Sequence, residues 1–347
     1  MIITGLEFED HKITSYLFTL GNKKILFDFG IKELEEELID SLDYIFISHY
    51  HYDHSCGLLE NIEKIPSKCK VYMTRTTKEV FEYIIQNRKL KESQEKKMLD
   101  KLSCLFNIAL FNKDYEEDSL KFKFYRSGHC FGGFMLYICD ENESIFISSD
   151  MDYVSSDIDR QYYVEERIDA NFAILDGTIT DDEDFKKSKL NSLRINKNKD
   201  DHFYCKIEKA VFIAKVLSDK YPDANIIYDF DLEPLITIFY KNGYDCFSKN
   251  YNIHTKSLEY LFDSEKKNEN KHKIYLSSIY NNQTFQPDTL FSLHIGNYDR
   301  KEFIDNNLSN KTKILLGHYN KTDKIYEYCK MNNYEPIKKG TYKYEKK

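Results

Sequence analysis

Residues His49-Tyr50-His51-Tyr52-Asp53-His54 constrain this chain more than any other stretch. They follow an apolar run, Tyr44-Ile45-Phe46-Ile47-Ser48, that reads as a strand of a sheet covered on both faces. The hexapeptide then lies at the carboxyl end of that strand, where open α/β sheets place their sites. Three imidazoles and one carboxylate within six residues make a dense set of nitrogen and oxygen metal ligands. An extended backbone points His49 and His51 to the same side. Asp53 and His54 come after the turn and can face a second metal. A merely solvated loop would favour Asn, Asp, Gly and Ser over clustered imidazoles.

Other segments end in the same chemistry. An alternating strand over 120–125 delivers Ser127-Gly128-His129-Cys130-Phe131-Gly132-Gly133, where glycines let the backbone approach closely and aim one imidazole. Ser144-Ile145-Phe146-Ile147-Ser148-Ser149 runs into Asp150, and a carboxylate at the end of a buried strand is costly unless paired or metal-bound. Asp150 is therefore a candidate to bridge two cations. Asn171-Phe172-Ala173-Ile174-Leu175 repeats the pattern and ends on Asp176; two further strands end on His294 and His318. Asp28 closes an early strand just before Gly30, where it serves either the backbone of the metal loop or an ordinary turn or cap. The chain has ten His. His11, His202, His254 and His272 sit in polar surroundings and are expected at the surface. The remaining His and Asp fit a dinuclear site, two cations about 3.5–4 Å apart sharing a hydroxide and a carboxylate. Two zinc ions suit mixed imidazole and carboxylate ligation, with iron or manganese as alternatives.

A chain of 347 residues holds two domains, or one large domain with an insertion. No apolar stretch is long enough to span a membrane, and the start lacks a basic-then-apolar signal peptide. Eight Cys without a CxxC pair or framework spacing read as free thiols, so a cytoplasmic location is expected. The formal charge of −8 argues against a nucleic-acid partner only until the metals are counted, since bound cations are the largest local charges at such a site. The chain begins with three short strands, the second and third joined through Gly21-Asn22. Residues 31–42 are expected as an amphipathic helix. Further helices are expected from Cys56, after a cap at Thr76 or Thr77, and over 88–101 on the surface. At 181–200 the composition changes: Asp181-Asp182-Glu183-Asp184 precedes Lys186, Lys187, Lys189, Arg194, Lys197 and Lys199. This basic run is either a solvated linker or a phosphate-contacting segment. Beyond it come a helix over 207–217, a strand over 225–228, a helix over 234–241 and a polar loop over 263–273. The last helix is expected over 322–332.

Together these motifs resemble the metallo-β-lactamase fold and, within it, the β-CASP nucleases. His49-Tyr50-His51-Tyr52-Asp53-His54 matches the HxHxDH signature, and Leu26-Phe27-Asp28-Phe29-Gly30 resembles the first motif of the fold. Ser127-Gly128-His129-Cys130-Phe131-Gly132-Gly133 resembles the AGHxxGA form found in the endonuclease subunit of the cleavage-and-polyadenylation complex. Ser149-Asp150-Met151-Asp152, Leu175-Asp176-Gly177-Thr178, Phe291-Ser292-Leu293-His294 and Gly317-His318 fall where the family has its later motifs. The resemblance implies an α/β chain with a four-layer αββα metallo-β-lactamase fold and an inserted small α/β, β-CASP-like cap. The expected divisions are 1–184, 185–285 for the cap, and 286–347. It implies that His49, His51 and His129 hold one metal, that Asp53, His54 and His318 hold the other, and that Asp150 bridges. Asp53, Asp176 and His294 are the expected catalytic residues, with Asp176 orienting His294. The final His favours the RNA-acting branch, which includes ribonuclease J. The insertion is short for this family, the Gly-Arg phosphate-binding segment is absent near Lys206-Ile207-Glu208-Lys209, and Tyr319-Asn320 replaces Gly-Glu after the last His.

The function expected from these features is metal-dependent cleavage of RNA, single-stranded in form, by a bridging hydroxide attacking the scissile phosphate. Rival readings are a DNA exonuclease with the same site, a small-molecule hydrolase of thioesterase or lactonase type, and a non-catalytic RNA-binding scaffold. A scaffold should have lost ligands, and this chain retains them. No membrane association is expected, and a homodimeric or processing-complex partner is left open.

Overall fold

A computed structural model describes residues 1–8, 12–151, 164, 166–178, 195, 200–205, 207–247, 252–259, 272–278, 297–319 and 323–345. His294, His11 and the basic run over 186–199 lie outside the described residues. The chain divides into two compact units, Met1–Asp181 with Leu293–Lys347, and Asp182–Ser292.

The first unit is built on two mixed sheets of seven strands each. One contains β1 (Ile2–Glu7), β2 (Ile13–Leu20), β3 (Lys23–Phe27), β4 (Tyr44–Phe46), β5 (Lys70–Met73) and β6 (Phe106–Ile108), with β18 (Gly340–Lys343) outside β1. Its first strands pair antiparallel, and β3 through β6 pair parallel. The other contains β7 (Asp114–Glu117), β8 (Leu120–Arg126), β9 (Phe134–Cys139), β10 (Ser144–Ile147) and β11 (Phe172–Asp176). It is extended beyond β11 by β16 (Lys313–Gly317) and β17 (Glu335–Pro336). Here β7 to β10 pair antiparallel, while β10, β11, β16 and β17 pair parallel.

Strand periodicity explains how the sheets meet. Ile145 and Ile147 of β10, with Phe172 and Ile174 of β11, share one core with Phe27, Tyr44 and Phe46 of the first sheet. The alternate residues Phe146, Ala173 and Leu175 turn the other way and pack with Phe303, from the helix Asn297–Asn307. Side chains that alternate in this manner bury both faces of the second sheet. This α/β arrangement of mixed sheets is compatible with a metallo-β-lactamase fold. The carboxyl ends of β3, β4, β10, β11 and β16 are followed by Asp28, the His49–His54 hexapeptide, Asp150, Gly177 and His318.

Several elements differ from the expectations. The helix expected over 31–42 is only α1 (Glu36–Asp40). Extending it towards Ile31 would set Glu33 against Glu37, like charges at i,i+4, and its cap Glu35 makes no side-chain hydrogen bond. α2 (Tyr52–Asn61) starts inside the histidine motif rather than at Cys56, with His51 as N-cap. α3 (Arg75–Asn87) is capped by Thr74, whose hydroxyl accepts from Thr77 N, not by Thr76 or Thr77. α4 (Glu92–Leu105) starts later than expected and buries Met98, Leu102 and Leu105.

The second unit carries a parallel four-stranded sheet, β12 (Asp201–Cys205), β15 (Lys273–Ser278), β13 (Asn225–Tyr228) and β14 (Ile253–Thr255), in that spatial order. Helices Ile207–Lys220 and Glu233–Lys241 accompany it. His254, expected at the surface, is buried in β14, because every residue of this short edge strand is covered. Lys273, expected in a loop, opens β15; most of 263–273 lies outside the described residues.

Gly57 tests the packing that holds α2 in place. Its N–H donates to Phe29 O at 2.8 Å, and a Cβ there would meet Ile31 O at 2.0 Å and the Phe29 ring at 2.4 Å. Alanine is the better helix former by about 1 kcal/mol. The clash is with backbone, so overpacking outweighs that gain. Gly57→Ala is expected to lower stability by a net of about 1–2 kcal/mol, read as a lower urea midpoint. An unchanged or raised midpoint would contradict this contact.

Candidate metal centre

The site starts from Asp28, the residue after β3. It is fully buried and adopts a left-handed backbone with φ 57°. Its Oδ1 accepts from Ser48 N at 2.7 Å, and Oδ2 accepts from Ser48 Oγ at 2.9 Å and Ser149 Oγ at 3.1 Å. His54 Nδ1 lies 2.8 Å from the same Oδ2. A carboxylate only accepts, so this bond assigns the proton of His54 to Nδ1. Ser48 Oγ also lies 2.8 Å from His49 Nδ1. With the Ser48 proton directed at Asp28, His49 Nδ1–H is the donor to Ser48. The neutral His49 ring therefore presents Nε2 as a lone pair, as His54 does once it gives up its second proton to a cation, and neither buried Nε2 has a hydrogen-bond partner.

Two donor sets converge on those lone pairs. His49, His51, His129 and Asp150 form one group, and Asp53, His54 and His318 another, with candidate ligand atoms of each group within 4.8 Å of one another. His51 Nδ1 is 3.0 Å from His129 Nε2. Asp150 lies between the groups: Oδ2 is 3.5 Å from His129 Nε2, while Oδ1 is 3.3 Å from His54 Nε2 and 2.8 Å from His318 Nδ1. Asp53 Oδ2 is 3.5 Å from His318 Nε2 and 3.8 Å from His54 Nε2. The residues fit two divalent cations: imidazole nitrogens and carboxylate oxygens face one another at close range, and the buried Nε2 atoms of His49 and His54 make no hydrogen bond.

The electrostatics point the same way. Burial lowers the pKa of His49, reinforced by neighbouring His54, His51 and His129, so this ring stays neutral. Burial also acts to lower His54 and His318, but Asp150 and the other carboxylates outweigh it. His54 is pushed up, and His318 is pushed up to about 10. Burial works against ionisation of Asp53, yet His54, His318 and Lys12 hold its carboxyl far below the usual range. So many carboxylates in one buried cluster demand positive charge, which divalent cations would supply.

Asp176, at the end of β11, does not stand alone. Its Oδ2 accepts from Met151 N at 3.3 Å and Oδ1 from Thr178 N at 2.9 Å; Oδ1 lies 3.6 Å from His318 Nδ1. Asp176 thus faces His318, and its relation to His294 lies outside the described residues.

Two residues of the site escaped the sequence reading. Lys12 Nζ donates to Asp53 Oδ2 at 2.6 Å. Burial acts to lower its pKa, but Asp150 and Asp53 overcome this and raise it. Arg300, fully buried, donates from Nε to Asp176 O at 2.7 Å and from Nη2 to Thr178 O at 2.6 Å, fixing the loop after β11. Neither has a local signal: Lys12 sits in a hairpin, and Arg300 in the polar run Asn297–Asn307 that resembles any solvated helix.

Comparison with known proteins supports the motif reading. The family described as Anti-Pycsar protein Apyc1 matches residues 4–175. Endoribonuclease ysh1 of Emericella nidulans is 30% identical over 156 residues, which is 39% of this chain and 18% of that protein. Cleavage and polyadenylation specificity factor subunit 3-I of Arabidopsis thaliana is 26% identical over 137 residues, 33% of this chain and 19% of that protein. Integrator complex subunit 11 of Danio rerio is 27% identical over 133 residues, 35% of this chain and 22% of that protein. The chain thus spans about a fifth of the length of these relatives. On both its motifs and these matches, it is similar to the metallo-β-lactamase-fold β-CASP RNA endonucleases and to the Apyc1 family.

Proposed function

We propose that this chain is a dinuclear-metal-dependent phosphodiesterase that cleaves single-stranded RNA, built as a four-layer αββα metallo-β-lactamase fold with a small β-CASP-like cap inserted over 185–285. The observation that carries the reading is Asp150, whose two oxygens face different histidine groups. Similarity to named endoribonucleases favours RNA over DNA. The metals would be held by His49, His51 and His129, and by Asp53, His54 and His318, with Asp150 shared. When bound, two zinc ions, or iron or manganese, supply a more acidic water and neutralise charge that develops on a phosphodiester. The chain does the rest. Asp28 holds His49 and His54 in the ligating tautomer, Lys12 steadies Asp53, and Arg300 steadies Asp176. His294 is assigned the protonation of the leaving oxygen, a role suited to an imidazole near neutral pH. Its eight free thiols among the described residues suit a reducing, cytoplasmic setting.

Asp150→Asn should hold fewer than two metals per chain and lose cleavage of end-labelled single-stranded RNA. The parent should cleave RNA faster than DNA of the same sequence. Full metal content with full cleavage in the variant would overturn the dinuclear assignment. Turnover of small esters without cleavage of either polymer would instead favour the small-molecule hydrolase.

Asp28→Asn should weaken metal binding by about 10- to 100-fold, the range for partners that orient metal-bound histidines. Competition against a chromophoric zinc chelator measures it, and an unchanged affinity would contradict the tautomer assignment.

His294→Ala should keep both metals while RNA cleavage falls by roughly 100- to 10,000-fold. The defect should shrink on a nitrophenyl phosphodiester, whose leaving group departs without protonation. An equal defect on both substrates would exclude His294 as the acid, and loss of a metal would make it a ligand.

A further inference from the structure

Tyr52 stands between two candidate ligands in the sequence, His51 and Asp53, yet it takes no part in their cluster. The start of α2 explains this. His51 is the extended N-cap, φ −61° and ψ 146°, and the chain enters the helix at Tyr52. His51 and Asp53 each join a donor set, while Tyr52 is left 55% exposed at the rim. The neighbouring Tyr50 is buried.

The surroundings of this ring are particular. Phe8, just beyond β1, meets Tyr52 edge to face, with centroids 6.0 Å apart and planes at 84°. Lys32 Nζ stands 5.3 Å from the Tyr52 centroid. Phe8 N donates to Lys12 O at 2.8 Å, which ties the aromatic ring to the lysine that donates to Asp53. Two aromatic rings and the Lys32 ammonium therefore cluster at the turn that carries His51 and Asp53, and Lys12 links this cluster to the donor set. Single-stranded nucleic acids are held by this combination, with bases stacked on aromatic faces and phosphates beside cations.

We infer that Tyr52, with Phe8 and Lys32, forms a nucleoside subsite at the rim of the metal centre, where a base next to the scissile phosphate stacks on Tyr52 and a neighbouring phosphate meets Lys32. The inference rests on the phosphodiesterase reading and deepens it. Tyr52 packing that serves only to close the hairpin over α2 is the competing explanation. The two differ in what the ring must be: hairpin packing needs an apolar side chain of similar size, whereas stacking needs a π face.

The test uses the full metal-loaded protein and a labelled oligoribonucleotide with phosphorothioate linkages, which slow attack by a metal-held hydroxide, with binding followed by fluorescence anisotropy. Tyr52→Leu should bind about 5- to 100-fold more weakly, the range for loss of one base–aromatic stack. Tyr52→Phe should bind as the parent does. Oligonucleotides with one abasic position should show a penalty with the parent that disappears in Tyr52→Leu. Metal content and thermal midpoint, equal to the parent's, confirm the fold of each variant. Equal affinity of Tyr52→Leu and parent would overturn the subsite and leave the phosphodiesterase reading intact. A parent that binds no oligonucleotide would instead remove the reading beneath it. If Tyr52→Leu loses metal or stability, the abasic series on the parent decides: no penalty at any position overturns the subsite.

Discussion

The carboxylate of Asp28 is the interaction on which the rest of the site depends. It takes up Ser48 N, Ser48 Oγ, Ser149 Oγ and His54 Nδ1, and so joins the ends of β3, β4 and β10 at one point. Ser48 Oγ also lies 2.7 Å from Ser149 Oγ, and Ser48 O accepts from Phe134 N at 3.0 Å. One buried acid thereby ties the two sheets together beneath the histidines. An unpaired carboxylate at that depth would be strongly unfavourable. Full hydrogen bonding makes it tolerable and converts it into a device that fixes imidazole orientation.

The chain also bends sharply at this edge. Asp28, Ser149 and His318 each follow a strand and each take positive φ, at 57°, 53° and 49°. Such residues cost about 1–3 kcal/mol each when they are not glycine. They persist because the sandwich core holds the strands in place and because the turned side chains bond at once. His318 N donates to Ile13 O at 2.8 Å. Gly317, just before it, admits no side chain, since a Cβ would lie 1.8 Å from the Tyr16 hydroxyl. Strain thus concentrates where side chains must leave the sheet and converge.

Charge is managed by contacts distant in sequence. Lys12 meets Asp53 across 41 residues, and Arg300 reaches Asp176 O across 124. Arg300 satisfies backbone carbonyls rather than the carboxylate itself. Its planar fork suits two carbonyl oxygens on one loop, which a lysine could not engage in the same way. The match to the Apyc1 family covers residues 4–175, whereas Arg300 and His318 come from the last part of the chain. The part that closes the cluster around Asp150 and Asp176 therefore lies beyond the matched family region.

The sequence by itself determined that β4, β10, β11 and β16 run into histidine or aspartate, because a two-residue alternation and a run of ligands are properties of adjacent residues. It also marked the change near 181 and the lack of a long apolar stretch, both matters of composition. It could not show that residues 31–35 stay out of a helix, since repulsion among neighbouring acids competes with a convincing apolar stripe. Short strands such as β6, β7 and β14 carry too few residues for a period to register. Only the tertiary structure decided that Asp28 orients two imidazoles, that Asp176 faces His318, that His254 is buried, and that Tyr52 stays at the rim. Each of those outcomes depends on atoms from separate strands meeting within hydrogen-bonding or packing distance. That convergence is set by sheet register and core packing, which no local pattern encodes.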